Sequence, residues 1–438
     1  MRDASPTQPG SGLARRGFLK SSFVLAGLGL AACTPADAVL DTRVRLRQWN
    51  LFSGGDGNRM IQMHEDFQAQ HPDLDFRATT FEWGAPFYTK VAMAAAGGRA
   101  ADVATVHLSR LASLAPGRLL DPVDEGLLAE AGIDASVFLP NVWEQCFHDG
   151  QLYAIPLDTH THIQYFNPEI CAEAGLLDGD GRLTEVNGLE EFLDMCREIA
   201  QVTGDMAVSL DTTYSWPIFW AMFRQQDGEL SFTDDDFHLD DEAAYTAFEA
   251  LYRLSEEGLA PRFADGQGAT SNFDNLQAGL LLQGNWEIAS FEATGTPYSA
   301  TQMPNFFGNR RTRGDAHCFV LPHQENRDRD RTRAALTYAA WMVRNSLSWG
   351  EGGGHIPAYQ PVVRSEEYQP LEPHVHYAEA AANTEFEPEA WFSGSASQLQ
   401  SEAAAALNGI HAGTATPKDA LHQFRRSLRS LVTTPAPV

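Results

Sequence analysis

Asp158, Thr159 and His160 follow one another directly, and His162 comes two residues later, in a run that otherwise reads as a strand. In an extended strand His160 and His162 point to the same side. Two chemistries are open to such a set. Paired imidazoles suit a divalent metal, but zinc needs a third ligand, none stands nearby and the remaining histidines are scattered, so neither a metal nor a cofactor is expected. Recognition of a polyol is the other: a carboxylate takes two hydroxyls at once, and charge-assisted hydrogen bonds are the stronger kind.

Aromatic residues at loop positions extend the second chemistry. A pyranose ring has an apolar C–H face and a rim of hydroxyls, so its site needs aromatic plates beside polar side chains. Trp286 follows Gly284 and Asn285, and glycine is the residue that lets a ligand approach the backbone closely. Glu287 beside it either accepts hydroxyl hydrogen bonds or lies on a solvated helix start. Tyr214 and Trp216 fall between a short strand at 206–210 and a helix beginning near Ile218. That junction can present both to a cleft, or Trp216 can plug the core. Phe52 and Trp83 stand at further loop ends, as plates or as core.

The elements that must position these residues are readable by period. Val44, Leu46 and Trp49 lie in a strand-like run, the turn-rich Ser53 to Gly57 follows, and Met60, Met63, His64 and Phe67 recur at helical spacing. Leu74, Phe76 and Ala78 alternate as a second strand, residues 91–96 read as a helix stopped by Gly97 and Gly98, and 102–106 form a third strand. This alternation predicts an α/β lobe with a mainly parallel sheet, whose ligands bind beyond the carboxyl ends of its strands, at the Phe52–Gly57 loop and at His107. Asp149-Gly150 marks a turn between strands that lead into a crossing segment. Asn167-Pro168 then caps a helix and opens a second lobe. Helical patterns continue at 189–200, 244–254 and 333–343 and through the Ala-rich stretch near 400–430.

Bulk composition excludes more than it names. The 438 residues carry 58 Asp and Glu against 31 Lys and Arg, a formal net charge of -27, and Arg2, Arg15, Arg16 and Lys20 against Asp3 make the chain beyond residue 32 more acidic still. Such a surface repels nucleic acid and anionic lipid. Cys146, Cys171, Cys196 and Cys318 contain no CxxC, so zinc ribbons and redox pairs are unsupported and buried thiols are expected. Neither a GxSxG nor an HExxH motif occurs. The glycine run 352–354 lacks a phosphate-loop context and suits a sharp turn, and Arg364 beyond it reads as a surface arginine.

Taken in order, Gly98-Arg99-Ala100-Ala101-Asp102-Val103, Tyr153 through Asp158-Thr159-His160, Leu282-Gln283-Gly284-Asn285-Trp286-Glu287 and Trp341 through Gly354-His355-Ile356-Pro357-Ala358 resemble the family 1 extracellular solute-binding proteins, the maltose-binding-like sugar receptors of ABC importers. Alanine stands at position 101 where that family usually has proline. The resemblance covers nearly all of the chain beyond residue 42. It implies a two-lobed periplasmic-binding-protein fold of type II, α/β with hinge strands, closing on a carbohydrate ligand. It adds His107 and His355 to the ligand-binding residues, favours Trp286 as a sugar platform, and turns Trp216 toward stacking. ABC permease subunits are the implied partners, and a monomer is the usual state.

The N-terminus resembles a twin-arginine lipoprotein signal. Arg15 and Arg16 precede Phe18-Leu19-Lys20, the apolar stretch 23–30 is too short to span a bilayer, and Leu30-Ala31-Ala32-Cys33 matches a lipobox. Residues 1–32 are thus expected to be a signal peptide, Cys33 the lipidated residue, and 33–42 a tether to an extracytoplasmic protein anchored on the membrane. The remaining boundaries are expected at 43–155 with 300–322 for one lobe and 156–299 with 323–438 for the other. Two rivals share the residue chemistry: an exported carbohydrate-active enzyme, which needs two facing carboxyls at set separations, and a metal or peptide receptor on the same scaffold.

Overall fold

The computed structural model describes residues 43–233 and 235–436. The signal peptide, the tether and Cys33 lie outside the described residues. Two sheets organise residues 43–436. In the first, Leu74–Thr80, Val44–Asn50 and Val103–His107 run parallel, and His317–Pro322 returns antiparallel beside Val103–His107, pairing also with Leu120–Asp121 and Ala154–Pro156. The second sheet is built around the long strand Asp158–Phe166, which pairs antiparallel with Leu280–Gly284, Ser299–Thr301, Thr312–Asp315 and Ile356–Pro357.

The helix Gly54–Gln70 shows why these sequences fold as they do. Met60, Met63, His64 and Phe67 fall on one face and are buried against the first sheet, while the exposed positions between them are polar apart from Ile61. Helix Pro168–Glu173 begins as expected, with the Asn167 side chain accepting the backbone N–H groups of Glu169 and Ile170. The glycine run ends a helix at Gly354, where a positive φ of 72° reverses the chain. All four cysteines within the described residues are buried thiols. No helix among those residues is long and apolar enough to cross a membrane.

Chain crossings between the sheets lie side by side. Leu157 separates the strand Ala154–Pro156 of the first sheet from Asp158–Phe166 of the second, and Ala316 separates Thr312–Asp315 from His317–Pro322 in the reverse direction. Ile356–Pro357 lies beside Asp158 and Thr159, and Ala358 then donates its N–H to the Leu157 carbonyl. Leu157 in turn donates to the His317 carbonyl. These hydrogen bonds bind three strands of chain into one hinge.

The division between lobes departs from expectation in two places. Residues 300 and 301 of the strand Ser299–Thr301 and the strand Thr312–Asp315, expected in the first lobe, pair with Asp158–Phe166 of the second sheet. The helix Arg329–Arg344, expected in the second lobe, buries Ala335, Leu336, Tyr338, Ala339 and Met342 in the core of the first, with Tyr338 stacked on Phe76 at 5.3 Å. Trp349 and Ala358 belong to that core as well. An amphipathic period fixes which helical face is buried; it says nothing about which sheet lies beneath.

Candidate functional site

Asp158 heads the long strand immediately after the first crossing, and its carboxylate is fully buried. Oδ1 accepts the backbone N–H of His317 at 2.9 Å and lies 3.1 Å from His160 Nδ1. Oδ2 accepts Trp349 Nε1–H at 2.7 Å and lies 2.8 Å from His317 Nδ1. Burial works to raise the pKa of this carboxyl, yet the His317 and His355 charges and the hydrogen bonds from His160 and His317 outweigh it and hold the group well below the usual carboxylate range. His160 goes the other way: burial, reinforced by the charge on His317, pulls it down to about 3.

Sheet register completes the cluster. His107 ends its strand directly opposite His317, so both rings project from one face. Their centroids are 4.7 Å apart, and His107 lies 5.3 Å from His160. His107 Nδ1 is 2.6 Å from the Tyr88 hydroxyl. Burial, with His317 and His160 next to it, keeps that imidazole far below its ordinary pKa and so neutral. His355 follows the Gly354 turn and stacks flat on Trp349, with centroids 4.7 Å apart and planes 2° from parallel. Its Nε2 faces Asp56 Oδ2 at 3.1 Å.

Trp286 approaches from the second lobe. Its half-buried ring meets His160 and His162 edge-on, at 5.7 and 5.3 Å. The glycine before it has a different purpose from the one expected: a Cβ on Gly284 would lie 2.1 Å from the Trp286 ring, so the glycine makes room for the indole itself. Along the same strand, Thr159 Oγ1, Thr161 Oγ1, His162 Nδ1 and the neighbouring Asn285 Nδ2 are buried without a hydrogen-bond partner among the described residues. Glu287 is half-buried beside Trp286, accepts a 3.3 Å hydrogen bond from Thr270, and has its pKa raised by burial.

The remaining expected site residues divide. Trp83 is 47 % exposed with its ring 6.5 Å from His107, at the edge of the cluster. Phe52 is buried beneath it, packing edge-on against His317 and Trp349 at 4.7 Å each, a supporting core residue with no free face. Trp216 is fully buried, stacked on Phe219 at 5.5 Å, and donates Nε1–H to Glu387 Oε1 at 3.1 Å. It plugs the second core, the bland alternative of the two. Tyr214 donates its hydroxyl to Gln400 Oε1, and Gln400 donates to Glu387, so both aromatics belong to a network centred on buried Arg313, which pairs with Glu387 and Asp315.

Sequence reasoning missed His317, Trp349 and Asp56. Each lies on an element of ordinary local pattern, and only the pairing of the returning strand with Val103–His107 brings His317 under the cluster. Trp349 precedes the glycine run, and its place in the sequence carried no polar signal.

The sequence model of a family described as bacterial extracellular solute-binding protein matches residues 62–376. The chain belongs to this family. Among relatives of this solute-binding protein, a galactooligosaccharide-binding protein of Bacillus subtilis (strain 168) is 20 % identical over 332 residues, 71 % of this chain and 74 % of that one. Among solved structures, the GacH receptor of Streptomyces glaucescens GLA.O, determined unliganded and with acarbose, superposes with a TM-score of 0.74 at 18 % identity, covering 89 % of this chain and 98 % of the other. UgpB from Mycobacterium tuberculosis, in complex with glycerophosphocholine, superposes with a TM-score of 0.74 at 17 % identity over the same shares. These likenesses establish the two-lobed type II fold of the maltose-binding-like proteins. In this solute-binding protein the histidine cluster therefore sits where the two lobes meet.

Proposed function

We propose that this solute-binding protein captures a carbohydrate, an oligosaccharide by preference, between its lobes and presents it to an ABC permease. The observation that carries the reading is the packing of Trp286 from one lobe and His107 from the other on the same His160 of the polar strand Asp158–Phe166, whose Thr159 and His162 have buried atoms without hydrogen-bond partners among the described residues. A half-buried indole supplies a plate for a sugar face, and buried polar atoms that lack protein partners suit a ring of hydroxyls. The galactooligosaccharide-binding relative and the acarbose-binding receptor support the same ligand class. Ligand binding needs only a differential affinity for the closed arrangement of the lobes, with no covalent step.

A thermal-shift screen of the purified protein against mono-, di- and oligosaccharides tests this, with glycerophosphocholine and short peptides as alternative classes. A ligand that binds the folded state alone raises its melting temperature, by about 2.7 kcal/mol of stabilisation at a hundredfold excess over Kd. A shift confined to one glycan class is the expected result; shifts confined to glycerophosphocholine or peptide overturn the carbohydrate reading. Turnover of an oligosaccharide by the protein, lost on Asp158→Ala, would replace the receptor with an enzyme.

The same reading places the protein on the outer side of the cell membrane, held by a lipid on Cys33 after twin-arginine export. Replacing Arg15 and Arg16 together by lysine is expected to stop export, and Cys33→Ala to release the protein from the membrane fraction. Both are read by fractionation.

A further inference from the structure

We propose that Asp158, His160, His317 and His355 bind one divalent transition-metal ion, with zinc the ion that the ligand set fits. One ligand atom from each of the four lies within 4.8 Å of all the others, and all four residues are buried. Around the Asp158 carboxylate, Nδ1 of His160 stands 3.1 Å from Oδ1, and Nδ1 of His317 and of His355 stand 2.8 and 3.8 Å from Oδ2. Nitrogen and oxygen ligands about 2.0–2.2 Å from a tetrahedral zinc ion are about 3.4 Å from one another. These three nitrogen–oxygen separations bracket that value and no ligand atom lies more than 4.8 Å from another, so a common centre needs the rings to draw inward and His160 and His317 to give up the Nδ1 hydrogens that face Asp158.

His355 supplies a second, independent sign. Its Nε2 faces a carboxylate oxygen of Asp56, which can only accept, so this nitrogen carries the hydrogen. Its Nδ1 is buried, has no hydrogen-bond partner among the described residues, and faces Asp158 Oδ2. When Nδ1 is unprotonated its lone pair is turned toward the anionic Asp158 oxygen, a repulsive arrangement that a metal ion between them relieves by making ligands of both. Asp56 is then the outer carboxylate that fixes the tautomer and orientation of a metal-bound histidine. Trp349 holds the other two parts in place by stacking on His355 and donating to Asp158. A proton on Nδ1 is the competing way to satisfy the same geometry.

Four protein ligands make a closed site of the structural kind. The ion joins His317 of the first sheet to Asp158 and His160 of the second and to the turn at Gly354, all at the chain crossings. It reinforces the hinge and does not depend on the ligand proposed for the cleft.

Zinc(II) and cobalt(II), titrated into the metal-stripped full chain with no glycan present, test the site. One ion per chain, a cobalt spectrum of tetrahedral type, and a melting temperature raised by zinc but by neither magnesium nor calcium are expected. Asp56→Asn, at a half-buried position, is expected to weaken binding about 10- to 100-fold and to shift the cobalt bands, a change that a merely structural role would not produce. His317→Gln with His355→Gln is expected to abolish stoichiometric binding. Absence of stoichiometric binding to the unaltered chain, an octahedral cobalt spectrum, or undiminished binding in the double variant overturns the proposal. Should the double variant fail to fold, the stoichiometry and spectrum of the unaltered chain decide. Carbohydrate affinity, measured separately, stands or falls on its own.

Discussion

Two tryptophans of similar sequence appearance have opposite fates. Trp216 is enclosed by Phe219, Trp220 and Phe424, and its N–H is taken by Glu387. Trp216→Ala is therefore expected to lower unfolding stability by about 3–5 kcal/mol, the range for a buried aromatic, with its effect on ligand affinity no larger than the loss of folded protein explains. Trp286→Ala removes a half-buried ring that touches His160 and His162, and is expected to weaken ligand binding at least about tenfold while changing the midpoint of urea unfolding little. Denaturation paired with titration calorimetry on both variants separates the two roles; equal affinity in Trp286→Ala makes that residue core too. The residue types were legible in the sequence, because an amphipathic ring beside glycine or proline stands out. Their environments were not. A helix start at Trp216 is compatible with either orientation, and the packing of the distant Phe424 and Glu387 decides it.

Local elements were the most legible part of the chain, since each follows from its own period and caps. The strands Val44–Asn50 and Leu74–Thr80 and the Asn167 cap lie where apolar spacing and turn residues put them, and the helix Gly54–Gln70 buries the expected face but begins within the glycine-rich stretch 53–57, expected as a loop. What local pattern lacks is the partner of each buried face, which is why the helix Arg329–Arg344 and the strands around residues 300–315 went to the wrong lobe. The same limit hid His317, which reaches His160 only because the chain crosses between sheets beside it. Contacts between elements of the two lobes make a further prediction. At Gly55, in the first turn of helix Gly54–Gln70, a Cβ would lie 2.7 Å from the Cβ of Ala289 on helix Ile288–Thr294 of the second lobe. Gly55→Val cannot be accommodated without moving these helices apart. It should weaken ligand affinity roughly tenfold by disfavouring the closed arrangement, with about 1.4 kcal/mol lost from binding and the stability of each lobe retained. Small-angle scattering checks the cause: the variant is expected to be the more extended species at saturating ligand concentrations that compact the unaltered protein.

At the scale of the whole molecule, each lobe also buries a histidine away from the cluster, and this pair adds to the dependence of folding on pH that the buried histidines His107 and His160 create in the same direction. His64 lies in the first core, 2.9 Å from the Tyr338 hydroxyl; His411 lies in the second, between the Ser255 and Ser215 hydroxyls at 3.1 and 2.9 Å. Burial pulls both down from 6.5 to about 4. Above pH 6.5 both are neutral folded or unfolded, and neither makes stability depend on pH. Between 6.5 and 4 the unfolded chain takes up protons that the folded chain does not, so stability falls as the pH falls, by about 2 kcal/mol per histidine at pH 5 and about 3 below pH 4. Because one histidine sits in each lobe, acid is expected to weaken both together instead of releasing one folded lobe from the other. His64→Phe tests the assignment. Its loss of the Tyr338 hydrogen bond lowers stability near neutrality, where a buried hydroxyl is left unpaired, but the decline toward pH 5 becomes shallower by the His64 share. Urea unfolding across this range gives both quantities. An unchanged slope in the variant would mean that His64 is protonated in the folded protein, and the acid sensitivity would then belong to other groups.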